Sequence, residues 1–231
     1  MKLDDTDLLA SGGRRDVYRH PDDDRLLVKV FRPRHLETVR RERLRWYRPF
    51  RRLRQWTATI RELTEVLKLD AGGVSHPRQI QRFVGLVETD RGLGELVVRK
   101  GHGDAFLAPT LHDLVQEGRV DDTVRAAFED FATWLLESPL VVSDFNPKNF
   151  VYARDGDEAP YFAIVDGLGE TTYLPVKSLF PALNRRKKRE KLDALRRRLD
   201  GAGTGRAPDG ARTPAGAGII SDFPAAVAPA H

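Results

Sequence analysis

The sequence predicts an α+β fold in two lobes: a small N-terminal β-sheet lobe with one helix at about residues 1–100, and a reduced, mainly helical lobe at about residues 101–200. Two patterns lead to this prediction. Short apolar segments alternate with Gly-rich or acidic turns over residues 9–31 and 80–99, which is typical of antiparallel strands. Apolar side chains at helical spacing dominate residues 110–137. A folded part of about 200 residues can also bury one substantial core.

The first strands come from the segment LASGGRRDVYRHPDDDRLLVKVF, which predicts strand, Gly-containing turn, strand, acidic turn and strand over residues 9–31. The last strand alternates, with one face formed by Leu26, Val28 and Val30 and the other by Leu27, Lys29 and Phe31. A lysine in an apolar strand either extends its ammonium to water or binds phosphate oxygens and a carboxylate. Both interpretations of Lys29 stay open at this point.

A carboxylate partner for this lysine is predicted in the helical segment LETVRRERLRWY. Val39, Glu42 and Trp46 share one face of that helix, so Glu42 points toward the interior. An inward glutamate needs a cation, and Lys29 on the preceding strand is the candidate. Glu37 lies on a more charged stripe and is the weaker alternative.

The middle of the chain predicts two strands joined by a DRGLG turn within residues 80–99, followed by a link between the lobes at residues 100–104. Helices are predicted at residues 110–118 and 121–137, the second beginning at Asp121. The buried face of the second helix is assigned to Phe128, Phe131, Trp134 and Leu135. Two histidines that lack a paired ligand at metal spacing are interpreted as surface residues, His102 and His112.

Two short stretches carry the chemistry, SDFNPKNF at residues 143–150 and AIVDG at residues 163–167. The strands that begin at Phe150 and Tyr161 form an antiparallel hairpin in this interpretation, because turn residues separate them. The entry of one strand then lies beside the exit of the other. The hairpin therefore gathers three polar side chains that suit Mg²⁺, namely Asp144, Asn149 and Asp166. The alternative is that NP and DG are ordinary turn dipeptides.

In this order and spacing the residues resemble the protein-kinase-like fold, in which a Gly-rich loop, a strand lysine, a helix glutamate, a catalytic loop and a metal-binding aspartate form one cleft. More narrowly, the stretches GRRDVYRHP, RRERLRWY, VETDRGLG and DGLGE resemble the YrbL family of PhoP regulatory network proteins over about residues 10–195. The resemblance implies that ATP and Mg²⁺ are cofactors. It implies nucleotide binding by Gly12, Gly13, Lys29 and Glu42, catalysis by Asp144 and metal binding by Asn149 and Asp166.

The sequence departs from the kinase pattern in the Gly-rich loop, in the catalytic HRD motif and in the DFG motif, whose Phe is absent because Gly167 follows Asp166 directly. Only Gly12 remains of the three kinase glycines, with Ala10 and Arg15 at the other two positions, so a looser contact with phosphates is expected. The His and Arg of the catalytic HRD motif are replaced by Val142 and Ser143. A basic residue that could hold a phosphorylated activation loop is therefore absent from the motif.

Three functions are consistent with these features. The first is an ATP-dependent kinase that transfers the γ-phosphoryl group to an unidentified hydroxyl of a small molecule or a protein. The second is a pseudokinase that acts as a regulatory or interaction scaffold. The third, a nucleic-acid-associated basic protein, rests on the charge of the chain. The presence of Asp144 favours chemistry over scaffolding.

Charge is concentrated in two segments of this 231-residue chain, whose net charge is +5 and whose pI is near 9.6. Residues 40–54 hold eight arginines and one glutamate, and residues 185–198 hold nine Lys or Arg and two acids. Both segments are candidates for an anionic partner. Because neither includes a recognised base-reading motif, we expect contact with phosphates rather than bases. The second segment could equally be a solvated helix docked through Leu192, Leu195 and Leu199.

Composition sets the remaining expectations. The chain has no cysteine, which fits a reducing compartment, and neither a signal peptide nor a membrane-spanning apolar run is recognised, so a cytoplasmic location is expected. Residues 201–231 contain six Gly, four Pro and nine Ala without periodicity. This composition predicts a disordered tail beyond the folded residues 1–200.

Overall fold

The computed structural model describes residues 1–32, 56–74, 77–169 and 180–203. Its strands, in chain order, are β1 (Leu8–Ser11), β2 (Arg15–Arg19), β3 (Leu26–Phe31), β4 (Phe83–Thr89), β5 (Gly92–Val98), β6 (Phe150–Ala153) and β7 (Tyr161–Ile164). Its helices are α1 (Thr57–Ala71), α2 (Leu111–Gln116), α3 (Asp122–Glu137) and α4 (Pro181–Gly203). A sheet-rich N-terminal region and a mainly helical C-terminal region confirm the predicted α+β fold.

The N-terminal sheet has the strand order β1-β2-β3-β5-β4, and every neighbouring pair is antiparallel. The central strand β3 places Lys29 opposite Val17 of β2 and Glu95 of β5. Side chains directly opposite on neighbouring strands point to the same face of a sheet. The register therefore puts a lysine and a glutamate on the same face at the centre of the sheet.

The two faces of β3 differ as the alternation predicts. Val28 and Val30 pack with Leu3 and Tyr18 in an apolar cluster on one face. The other face, which carries Lys29, borders a cavity. This alternation explains how one strand contributes both to the core and to the candidate site.

Helix α1 joins the sheet to the helical region. Thr59 near its start bonds to Glu95 of β5 through its hydroxyl. One turn and a half later, the buried Glu65 accepts a hydrogen bond of 2.9 Å from the backbone N–H of Val141, on the loop that leads into the candidate site. The segment before β4 also pairs with β7, because the N–H of Gln81 donates to the carbonyl oxygen of Ile164 at 2.8 Å. Both connections hold the two regions against each other.

The C-terminal region buries one large apolar core around the hairpin of β6 and β7. Phe128 and Phe131 of α3 pack against Phe150 and Phe162 of the hairpin, with ring centroids 5.6 to 6.4 Å apart. Asp121 accepts a hydrogen bond from the N–H of Val124 and so caps the start of α3, as predicted. Because both hairpin strands are fully buried, their ends are held firmly.

Helix α4 docks on α3 through the stripe predicted from its leucines, Leu192, Leu195 and Leu199, which are at most 3% exposed. Lys188 lies on the same stripe and donates hydrogen bonds to the carbonyl oxygens of Leu135 and Ser138. These carbonyls belong to the C-terminal end of α3, where a cation is favourable. The helix ends at Gly203, three residues into the segment predicted as a tail.

Some predictions fall outside the described residues. These are the helical segment with Glu37 and Glu42, the basic segment 40–54, and the tail from residue 204 onward. Helix α1 was not expected from the sequence, although its apolar spacing is helical. The predicted hairpin is confirmed, with Phe150 opposite Ile164 and Ala153 opposite Tyr161.

Candidate functional site

A cavity of about 1090 Å³ lies between the N-terminal sheet and the β6–β7 hairpin. Its walls include six residues that the sequence assigned to nucleotide, metal or catalysis, namely Gly12, Gly13, Lys29, Asp144, Asn149 and Asp166. The seventh, Glu42, lies outside the described residues. Cavities of this size accommodate cofactors and small ligands.

Asp144 and Asn149 are held together by the local structure of their loop. The N–H of Asn146 donates to Oδ1 of Asp144 at 3.0 Å, and a 3₁₀ turn over Pro147–Asn149 follows. Nδ2 of Asn149 then donates to the carbonyl oxygen of Asp144 at 3.3 Å. The hairpin also positions Asp166, because the N–H of the preceding Val165 donates to the carbonyl oxygen of Asn149 at 3.0 Å. Asp166 therefore follows directly on a residue bonded to Asn149.

Gly167 allows this close approach. Its φ of +92° lies in the left-handed region that favours glycine. A Cβ at this position would lie 2.9 Å from the carbonyl oxygen of Asp144 and 3.1 Å from Nδ2 of Asn149. The carbonyl oxygen of Gly167 also accepts from the N–H of Ser143 at 2.9 Å. The glycine after Asp166 is thus required by packing as well as by backbone conformation.

Glu62 of α1 donates a hydrogen bond to Asp166. Burial, together with the hydrogen bond to and the charge of Asp166, raises the pKa of Glu62 to about 8. Burial would also raise the pKa of Asp166, but the hydrogen bond from Glu62 and the charges of Lys29 and Arg15 outweigh it and lower this pKa. Glu62 is therefore the protonated member at neutral pH, and Asp166 carries the negative charge.

Lys29 extends from β3 into the same cavity as Asp166. Its Nζ donates to Oε1 of Gln81 at 2.7 Å and to the carbonyl oxygen of Val165 at 2.8 Å. Gln81 is itself oriented by a bond from its Nε2 to the carbonyl oxygen of Val98 at 3.0 Å. The snorkelling interpretation of Lys29 is therefore wrong, because its ammonium is held inside the cavity wall.

The sequence did not reveal a buried ion pair between Arg15 and Glu95, the residue opposite Lys29 in the sheet. NH1 of Arg15 is 2.8 Å from Oε2 of Glu95, and the two side chains are 9% and 2% exposed. NH2 of Arg15 also bonds to Oγ1 of Thr59 at 3.2 Å, and that hydroxyl donates to Glu95. The three residues tie β2, β5 and α1 together. Arg15, which occupies the position of a kinase glycine, is thus a structural residue of the cavity wall.

Glu62 is the second residue that sequence reasoning missed. A signal existed, because Glu62 lies with Thr59, Leu63 and Val66 at helical spacing, and all four line one pocket between α1 and the sheet. The helix carboxylate predicted from the sequence, Glu42, lies instead in the preceding arginine-rich segment. In the described part of the chain, Glu62 is the α1 carboxylate that shares this pocket with Lys29 and Asp166.

The donor set fits a magnesium ion. No group of three or more His, Asp or Glu side chains suited to a metal occurs in the described ranges. Mg²⁺, however, is commonly held by one or two protein oxygens together with substrate phosphates. Asp166 and Asn149 supply a carboxylate and an amide oxygen. Oε1 of Glu62 beside them is buried without a hydrogen-bond partner among the described residues, so it can accept a hydrogen bond from a metal-bound water.

The histidine predictions need correction. His102 and His112 are half-buried rather than surface residues. The ring of His102 stacks on Tyr152, with centroids 4.9 Å apart, and its Nδ1 is buried without a partner. The link between the lobes packs on the hairpin here, because the N–H of Arg154 donates to the carbonyl oxygen of Gly101 at 2.9 Å.

Comparison with known proteins places the chain in a family. The YrbL protein of Escherichia coli (strain K12) is 24% identical over 183 residues, which make up 76% of this chain and 77% of that protein. YrbL of Shigella flexneri is similar to the same extent. The solved structure of Rad53 1–466 in complex with AMP-PNP aligns with a TM-score of 0.49 and 17% identity, over 92% of this chain and half of that one.

No helix in the described ranges combines the length and apolar character needed to cross a bilayer.

The model of the family described as PhoP regulatory network protein YrbL matches residues 1–200. The chain therefore belongs to the YrbL family of PhoP regulatory network proteins.

Proposed function

We propose that this protein binds ATP with Mg²⁺ and transfers the γ-phosphoryl group to a hydroxyl acceptor. The observation that carries the proposal is the convergence of Lys29, Asp144, Asn149 and Asp166 on one cavity. These side chains come from three separate parts of the chain. Phosphoryl transfer needs a metal site, a phosphate-binding cation and a carboxylate near the acceptor, and little covalent chemistry from the protein.

Each residue has a distinct role in this proposal. Asp166 and Asn149 would hold Mg²⁺, which neutralises charge on the nucleotide phosphates when bound. Lys29 is fixed by Gln81 and by the backbone of Val165, so its ammonium is positioned for phosphate oxygens beside the metal site. The glycines of the β1–β2 turn, Gly12 and Gly13, border the same cavity and offer a close backbone approach.

Asp144 is the group that would act on the acceptor. It is exposed, whereas Asp166 is half-buried, so an incoming hydroxyl can reach Asp144 first. The bond from Asn146 to its Oδ1 orients the carboxylate and leaves lone pairs that can accept the hydroxyl proton. A positioned carboxylate of this kind orients the nucleophile and withdraws its proton as the phosphoryl group is transferred.

A second candidate, a nucleotide-binding regulatory scaffold without turnover, is favoured by one observation. Glu62 bonds to Asp166, whereas Lys29 bonds to Gln81 and to Val165. An active kinase-like cleft pairs the strand lysine with a helix carboxylate. The two candidates differ in turnover, whereas both require nucleotide binding.

A thermal-shift measurement with ATP and Mg²⁺, with and without EDTA, tests the shared requirement. We expect a rise in melting temperature with ATP and Mg²⁺ that EDTA abolishes. Asp166→Asn should remove the Mg²⁺-dependent part of ATP binding in a calorimetric titration. Asp157→Asn is the matched control, because Asp157 is an exposed aspartate in the β6–β7 turn. Unchanged binding by the Asp166 variant would remove the metal role from the proposal.

Asp144→Asn separates the two candidates. A phosphotransferase keeps its nucleotide affinity in this variant but loses turnover by about two orders of magnitude or more. Turnover is measured as ADP release, with ATP hydrolysis as the acceptor-independent assay. A scaffold shows no turnover in the wild-type protein and the same nucleotide affinity in both proteins.

A further inference from the structure

Helix α4 presents a strongly cationic surface that the proposed active site does not use. Six of its basic side chains are exposed and have no ion-pair partner in the described part of the chain, namely Arg185, Lys187, Arg189, Lys191, Arg197 and Arg198. Other cations on the helix are engaged. Arg196 binds Glu129 of α3, Arg186 binds Glu190, and Lys188 is buried. The exposed set therefore needs a separate explanation.

The cations surround the helix in an ordered way. At about 100° per residue, the buried positions 184, 188, 192, 195 and 199 fall within about 80° of one another. The free cations lie outside this buried sector, and the acidic residues there are already paired, Glu190 with Arg186, Asp193 with Arg196 and Asp200 with Arg125. Arg185 and Arg189 form a first flank, Lys187, Lys191 and Arg198 form a second flank, and Arg197 lies at the crest opposite the buried stripe. The two flanks lie symmetrically on either side of the crest.

This distribution suits a concave anionic surface with two walls. A flat membrane would meet the crest or one flank at a time. The helix also lacks the apolar face that inserts into a bilayer, because Leu192, Leu195 and Leu199 are packed into the protein core. Phe180, just before the helix, is the large exposed apolar residue beside it. The major groove of duplex DNA, about 12 Å wide, admits a helix and has phosphates along both edges.

We propose that α4 binds duplex DNA by lying in the major groove, with its two cationic flanks contacting the phosphates of opposite strands. The contact is mainly to the backbone and depends little on sequence, because five of the six free cations lie on the flanks and only Arg197, at the crest, faces the base edges. The site is separate from the nucleotide cavity, whose walls include no residue of α4. This function does not depend on phosphoryl transfer.

Fluorescence anisotropy with a labelled DNA duplex of about 20 base pairs, two helical turns, tests the proposal. Releasing counterions from about five phosphates predicts a slope of log K against log salt of about −4.5. Arg185→Gln with Arg189→Gln should reduce the magnitude of this slope by about 2. Lys187→Gln, Lys191→Gln and Arg198→Gln together should reduce it by about 3. The duplex sequence should have little effect.

Controls separate the alternatives. Arg25→Gln with Arg119→Gln removes two exposed arginines outside α4 and should leave the slope unchanged. Asp144→Asn should also bind DNA normally, so failure of the proposed phosphotransfer does not affect this result. The groove model would be overturned if the salt slope changed in only one of the two flank variants. It would also be overturned by tighter binding to phosphatidylserine vesicles than to the duplex. Absence of DNA binding at low salt would overturn it as well.

Discussion

Nζ of Lys29 donates a hydrogen bond of 2.8 Å to the carbonyl oxygen of Val165, across 136 positions of the chain. The bond joins the centre of the N-terminal sheet to the residue before Asp166. A cation from one lobe is thereby placed beside the carboxylate of the other. The candidate site depends on this link, because neither lobe contains the full set of groups.

Replacing Lys29 with Met should weaken ATP binding in the presence of Mg²⁺ by at least about tenfold, because a charge-assisted contact with phosphate is lost. The side chain is similar in length, so the fold should be retained. Calorimetric titration measures the affinity and circular dichroism the fold. Lys191→Met is the control, because Lys191 is exposed on α4 away from the cavity. Equal losses in the two variants would contradict the role of Lys29.

Gly167→Ala should destabilise the protein by about 1–3 kcal/mol, since a residue with a side chain is strained at positive φ. The added Cβ would also press on Asp144 and Asn149 and should weaken Mg²⁺-dependent nucleotide binding. Urea unfolding gives the first effect and calorimetry the second. Gly85→Ala on β4 is the matched control, because a Cβ there has open space and the φ is ordinary. If Gly167→Ala changed neither the unfolding free energy nor nucleotide binding, the turn would be able to relax around the added Cβ.

Arg15→Met should cost about 3–5 kcal/mol of unfolding free energy, because it leaves the buried carboxylate of Glu95 unpaired. The double variant with Glu95→Met should recover much of that loss, since two apolar side chains replace the pair. Urea unfolding of the two single variants and the double variant gives the coupling energy. For comparison, Arg186→Gln breaks an exposed i,i+4 pair and should cost about 0.5 kcal/mol or less. Additive effects of Arg15 and Glu95 would mean that the pair is not coupled.

Glu62 should make the stability of the ligand-free protein depend on pH. Its folded pKa of about 8 exceeds its ordinary value of 4.5, so the folded state binds more protons between these pH values. The contribution of Glu62 is therefore complete below pH 4.5 and is lost as the pH rises through about 8. Asp166 does not add to this change, because its pKa lies below 3.8.

Glu62→Gln removes the titration and keeps the shape of the side chain. The stability difference between this variant and the wild-type protein should therefore change in favour of the variant from pH 5 to pH 8.5, measured by urea unfolding in matched salt. A constant difference for Glu62→Gln would show that this carboxyl is ionised across the range.

The spacing of apolar residues along the chain was sufficient to predict many of the strands and helices. The two faces of β3 and the helical spacing in α3 were confirmed, because the period of apolar residues reflects which side chains share a face. The hairpin of β6 and β7 was likewise predicted from two apolar runs and the turn residues between them. Because a hairpin places its own ends together, the proximity of Asn149 and Asp166 followed from the sequence alone.

The sequence by itself thus determined the strands, the helices other than α1 and the local half of the site, since each depends on residues close together in the chain. The tertiary structure decided which distant groups join them. The sequence predicted Glu42 as the helix carboxylate of the site, whereas the packing of α1 against the sheet brings Glu62 to Asp166. Arg15 and Glu95 pair across 80 positions for the same reason. Spacing along the chain encodes which face of an element is buried, whereas the partner on that face is set by how whole elements pack.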